Sequence, residues 1–303
     1  MMKELAELWR YREVLWNLVR RNLRVRYKNS ILGFFWSLLN PLMQIGVWYF
    51  VFKIIMENTQ KDYTAFLITG FLPWLFFSQT VLDSTACVTA ELALVKKAYF
   101  PRCILPIAAL ISNLVHLALA FLVLLGLFAI WRVDVNYHYW LVIPATVLIA
   151  VFAYGLSSML AAWSVFYADV KFIVGNLLSL WFFLTPILYP LGNFLGKQVT
   201  GKNWLTQIIS DYLPQIKQLY LLDPVAMCVL GYRSGLLEGG GNPIVVSSGT
   251  TRTPEAAAAL QAQLQVQYPI GWYVLGSVAI AIAFAVAGHI IFHRKSHLFA
   301  ERA

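Results

Sequence analysis

The sequence predicts an all-α integral membrane protein with six transmembrane helices, an N-terminal amphipathic helix and an outer re-entrant segment. Three observations predict this. Hydrophobic residues make up 60% of the 303 and charged residues only 12%, against about 25% charged in a soluble domain. The apolar residues fall in continuous runs long enough to cross a roughly 30 Å hydrocarbon core as helices, without the alternation of barrel strands. Lysine and arginine gather on alternate loops. A soluble enzyme, a disordered chain and a basic nucleic-acid-binding domain are disfavoured together. The net charge of +9 is a topology signal, so no nucleic-acid partner is expected.

Residues 1–30 form the first element, a helix lying on the membrane surface. At 100° per residue Leu5, Leu8, Trp9, Leu15, Trp16, Val19, Leu23 and Tyr27 share one arc. Lys3, Arg10, Glu13, Asn17, Arg20, Arg21, Arg24 and Lys28 share the other. Charges interrupt this stretch and no cleavage site follows an apolar core, so it does not read as a signal peptide.

Six spans follow at 31–52, 63–82, 103–131, 139–168, 172–190 and 269–292. The basic residues of the N-terminal segment, Lys96, Lys97 and Arg102, Lys171, and Arg294, Lys295 and Arg302 all fall on one side. Lys61 and Arg132, each beside acidic residues, fall on the other. Both termini are therefore expected in the cytoplasm. Lys53 and Asp83 sit at span ends, and no carboxylate pair is expected inside the membrane. This disfavours a transporter driven by an ion gradient.

Between spans two and three, residues 91–102 (ELALVKKAYFPR) mix apolar, basic and aromatic side chains. Tyr99 and Phe100 need a surface to pack on, which a partner protein would supply. Residues 191–268 form the outer segment. Residues 204–222 are too charged for a clean span and are expected to dip into the outer leaflet around Pro214. Residues 222–237 read as an amphipathic helix, 239–243 as a flexible break, and 254–267 as a proline-started helix.

Aromatic residues are 15% of the chain, many of them inside spans. Interfacial belts and ordinary packing account for single rings. As a set they suit a non-ionic, amphipathic substrate, because flat rings match the C–H faces of sugars. No Walker A motif, HExxH or GxSxG is present, so the chain is not expected to be an enzyme or to hold nucleotide. Cys87, Cys103 and Cys228 show no metal or disulfide spacing. His289, His293 and His297 share a helical face but read as titratable residues at the membrane exit, not as metal ligands.

Five stretches carry a family resemblance. They are RYKNSILGFFWSLLNPL (26–42), GFLPWLFF (70–77), LVKKAYFPRCILP (94–106), LWFFLTPILYP (180–190) and LDPVAMCVLGYR (222–233). In order and spacing the chain resembles the membrane subunit of type-2 ABC polysaccharide exporters, the permeases for O-antigen, capsule or teichoic acid precursors. A small-molecule or lipid ABC permease would share the architecture. The resemblance implies a homodimer with a channel between the copies, in the cytoplasmic membrane of a bacterium. It also implies two copies of a separate ABC ATPase that binds ATP and Mg²⁺, none being held by this chain. The substrate would be a lipid-linked glycan. Residues 1–30 would be the interface helix, with 91–102 as coupling helix. Contacts to the ATPase would come from Arg20, Arg21, Arg24, Leu94, Lys96, Lys97, Tyr99, Phe100, Arg102 and Asp169. Trp36, Trp48, Tyr49, Trp181, Phe182 and Phe183 would line the channel. Trp204, Tyr212, Pro214 and Tyr220 would belong to gate helices closing its outer end. The sequence departs from the family pattern at Ala168, where a basic residue is usual, and at Asp223, where asparagine often precedes the proline.

Overall fold

A computed structural model describes residues 7, 9–27, 35–55, 63–97, 100–133, 136, 138–195, 204–237, 262, 264 and 268–299. Tyr99, the expected break at 239–243 and most of the expected helix at 254–267 lie outside them. The described residues are helical almost throughout. In chain order the helices are α1 (Arg12–Tyr27), α2 (Phe35–Tyr49, continued by a π-turn at Phe50–Ile55), α3 (Tyr63–Ala90), α4 (Leu92–Lys97) and α5 (Ile104–Trp131). After a 3₁₀ turn (Tyr139–Leu141) come α6 (Val142–Ser164), α7 (Val170–Leu184), α8 (Leu191–Leu195), α9 (Trp204–Leu221), α10 (Pro224–Leu236) and α11 (Ile270–Ser296).

Four of these elements are long and apolar enough to cross a membrane: α3, α5, α6 with its 3₁₀ turn, and α11. Of the other two expected spans, the fifth is the shorter. α7 has 15 residues, about 22 Å at 1.5 Å per residue. It stops at Leu184 because Thr185 is extended (φ −78°, ψ 143°), the conformation that a following proline imposes. Among the described residues the first expected span is helical from Phe35 to Ile55, α2 passing without a break into the π-turn.

α3 is the hub. It packs on α5, α6, α7 and α10 and is buried over most of its length. Its apolar face, with Phe71, Leu72, Trp74, Phe76, Phe77 and Val81, meets Leu124 and Phe128 of α5 and Ile149, Phe152 and Ala153 of α6. Buried hydroxyls in this apolar setting turn back onto their own helix: Thr69 Oγ1 donates to Ala65 O at 2.8 Å, and Thr85 Oγ1 to Val81 O at 2.7 Å. α3 also runs on to Ala90, so Asp83 lies within the helix and not at its end. There it accepts a hydrogen bond from Asn113 Nδ2 at 2.9 Å.

α10 corrects a second expectation. It is buried on all sides, wedged against α3, α6 and α11, and so is a core helix where an amphipathic one was expected. Asp223 caps it, accepting from Val225 N at 3.0 Å ahead of Pro224. α6 and α11 cross closely, backbone against backbone. A Cβ on Gly288 would overlap the carbonyl of Gly155, and one on Gly155 would overlap the backbone of Phe284.

Candidate functional site

At one end of the bundle the basic elements share a single apolar cluster. Leu18 and Val19 of α1, Val88 of α3, Val95 of α4 and Phe100 meet Ile104 and Leu105 of α5, Ala161 and Ala162 of α6, and Phe292 and Phe299. The face α1 buries, with Tyr11, Val14, Leu15, Leu18, Val19 and Leu23, is rotated from the expected arc. Trp9 and Trp16 point outward instead, because α1 packs on α5 and not on lipid alone. Arg21 grips Glu91 with both nitrogens, Nη1 donating to Oε2 at 2.7 Å, and so ties α1 to the start of α4.

Arg20, Arg24 and Lys96 are exposed, Leu94 and Arg102 half-buried, and Asp169 exposed just before α7. The Arg20 guanidinium lies 5.4 Å from the Trp16 ring, and that of Arg102 5.9 Å from the Phe299 ring. Phe100 is buried among residues of its own chain, so it needs no partner to pack on. Lys97 closes α4. A cleft of about 680 Å³ opens between α1, α3 and α5, with Arg21, Asp83 and Lys171 among its polar lining.

The aromatic side chains expected to line a channel separate into two groups. Trp181 is half-buried, edge-on to Phe77 (5.3 Å between centroids) and Phe152 (6.1 Å). Its Nε1 donates to Asp223 Oδ2 at 3.0 Å. The Asp223 carboxylate thus holds both a helix cap and an indole. Phe182 is buried against Phe71 and Trp74. Phe183 and Tyr49 are exposed; Trp36 and Trp48 lie on α2. Around Phe183, the α7 residues Phe172, Ile173, Leu177, Leu180 and Leu184 form an uncovered apolar face. Replacing Trp181 by alanine is expected to cost about 3 kcal/mol from the lost ring contacts. Trp181→Phe, which deletes chiefly the N–H, should cost roughly 1–3 kcal/mol. Thermal unfolding of the detergent-solubilised protein measures both.

At the opposite end the chain between α7 and α8 is pinned by side chains. Tyr63 Oη donates to Leu188 O at 3.0 Å, and the Tyr189 and Tyr220 hydroxyls meet at 3.0 Å. Lys217 Nζ donates to Leu195 O at 2.6 Å, joining α9 to α8. Tyr212 and Pro214 are exposed on α9, which Trp204 begins. The residue that sequence reasoning missed is Arg233. Only 6% exposed, it donates from Nη1 to Pro186 O and from Nη2 to Ile187 O at 2.7 Å and Phe66 O at 3.4 Å. Its signal was a lone cation closing an otherwise uncharged helix (PVAMCVLGYRSGL).

A helical bundle with four membrane-length helices and a basic rim at one end defines a multi-pass membrane protein. Comparison with known proteins narrows the class. The ABC-2 type transporter family matches residues 13–209, and the chain belongs to that family. An O-antigen export system permease protein RfbA of Myxococcus xanthus is 32% identical over 251 residues, covering 78% of this chain and 96% of the relative. One from Klebsiella pneumoniae is 27% identical over 73% of this chain and 79% of its own length. The polysialic acid transport protein KpsM of Escherichia coli is 24% identical over 57% of this chain and 69% of its own. As a member of this family the chain is a transport component and not a catalyst.

Proposed function

We propose that this chain is the channel-forming permease subunit of an ATP-driven exporter. It moves a lipid-linked, O-antigen-like polysaccharide across the inner membrane of a bacterium. The observation that carries this reading is the likeness to the O-antigen export permease of Myxococcus xanthus over nearly that protein's whole length. Two features of the fold support it. The uncovered apolar and aromatic face of α7 suits pairing with a second copy, with a pathway between the two. The cluster that joins α1, α4, Phe100 and the end of α11 offers a stiff basic face on which a separate ATPase can push.

In this reading α2 and α7 complete six passes, both termini are cytoplasmic, and α8 and α9 form the outer gate. ATP and Mg²⁺ are held by two copies of the partner subunit. Closure of the ATPase pair shifts α4, and α3 carries the shift into the bundle. The exposed rings of Tyr49 and Phe183 offer sugars an apolar track. Trp181 and Phe182 set the wall behind it.

The test is co-purification with the partner ATPase and reconstitution with lipid-linked glycans. The expected result is ATP hydrolysis stimulated by the glycan. Hydrolysis by this chain unaided, or stimulation absent for every lipid-linked glycan tried, overturns the reading. Topology is checked separately with a single cysteine at Arg10 in a variant otherwise lacking cysteine. A membrane-impermeant maleimide added outside intact spheroplasts should leave it unlabelled and label it after lysis.

A further inference from the structure

The end of the bundle remote from the basic rim holds a buried charge that the proposed mechanism does not employ. Arg233 sits at the last turn of α10 with no carboxylate among its described partners. A cation buried in an apolar bundle is costly unless its hydrogen bonds are met. Here they are met by backbone carbonyls from two other elements. Pro186 O and Ile187 O belong to the break that ends α7, and Phe66 O to the first turn of α3. The guanidinium also lies 3.4 Å from the centre of the Phe66 ring. The plane therefore serves three carbonyls on two backbone segments at once, and its Nε remains without a partner.

Pro186 and Pro190 prevent the helix from closing this break. The carbonyls of Pro186 and Ile187 have no helical continuation to bond to. Arg233 supplies those donors, and Tyr63 adds one to Leu188 O at 3.0 Å. Gly70 makes room for it: a Cβ there would lie 2.8 Å from Arg233 Nη2.

We propose that Arg233 is a positioning residue that latches the broken end of α7 to α3 and α10, keeping the outer mouth of the pathway shut between transport cycles. This rests on the exporter reading for which end is outer and for the existence of a pathway. Lysine should replace it only in part, because an ammonium lacks the planar fork that reaches these carbonyls while lying flat on Phe66.

The experiment is release of trapped carboxyfluorescein from proteoliposomes containing the permease with its partner ATPase, without nucleotide or glycan. Arg233→Gln is expected to raise release at least about tenfold at matched protein level, from loss of charge-assisted hydrogen bonds that favour the closed state. Arg233→Lys should fall between that variant and the parent. Tyr63→Phe and Gly70→Ala keep the arginine and should leak in the same direction, more weakly. Phe292→Ala weakens the cluster at the other end of the bundle and should lower thermal stability without leak, which separates the latch from general destabilisation. Proteoliposomes of Arg233→Gln as tight as the parent overturn the proposal. If that variant fails to assemble, tight Tyr63→Phe and Gly70→Ala vesicles overturn it. No glycan is present, so failure here leaves the exporter reading standing. Failure of glycan to stimulate the ATPase, with the leak observed, strikes the exporter reading alone.

Discussion

Replacing Gly288 by alanine is expected to push α11 off α6 and to lose most of the folded protein. Small residues let helix backbones approach in a bilayer, where packing replaces the hydrophobic drive. The added methyl would occupy the carbonyl of Gly155, and a backbone atom cannot rotate away as a side-chain tip can. The cost lies at or above the top of the roughly 1–3 kcal/mol range for overpacked cores, and leucine should exceed alanine. Gly155→Ala meets the backbone of Phe284 from the other side and should behave alike. Gly126 has open space around its Cβ position. Alanine there should be neutral or stabilise by up to about 1 kcal/mol through helix propensity. Fluorescence-detected size-exclusion chromatography after heating orders the four variants. A Gly288→Ala protein as stable as the parent would show that the crossing relaxes.

Phe100→Ala and Lys96→Glu should both stop export, by different routes. Phe100 is buried between α4, α5 and the end of α11. Its removal leaves a cavity worth about 3–5 kcal/mol, so the membrane level and melting temperature should fall. Lys96 is exposed on α4. Reversing its charge should lower level and melting temperature far less than Phe100→Ala does, while lowering ATP-driven export at least about tenfold, through like-charge repulsion at the docked ATPase. Export, level and melting temperature measured on both variants distinguish a core residue from a docking residue. Normal export by Lys96→Glu would remove α4 from the coupling role.

The long helices α3, α5, α6 and α11 were legible because continuous apolar runs admit little else in a membrane. The shortness of α7 was hidden because Thr185, Pro186 and Ile187 extend the apolar run while ending the helix: hydropathy does not see backbone direction. The rotation of α1 was hidden because amphipathicity reports a face, not what covers it; contact with α5 buries Leu18 and leaves Trp16 outside. Phe100 was assigned to an external partner because part of the cluster that buries it, Leu18 and Val19 of α1 and Ala161 and Ala162 of α6 among it, lies far off in sequence. Arg233 escaped notice because its partners are carbonyls, which leave no mark in a sequence. The same holds for Trp181, whose bond to Asp223 spans 42 positions.

The length of α3 has a mechanical consequence. Its 28 residues measure about 42 Å, and most of that length separates the Phe66 carbonyl that Arg233 holds from the turn at Glu91 that Arg21 holds. On the proposed reading one helix, broken in its hydrogen bonding at Pro73, would join the ATPase-facing end to the mouth. A shift of α4 by the ATPase would then reach the far rim through a single element, with Pro73 as the place where part of it could be absorbed.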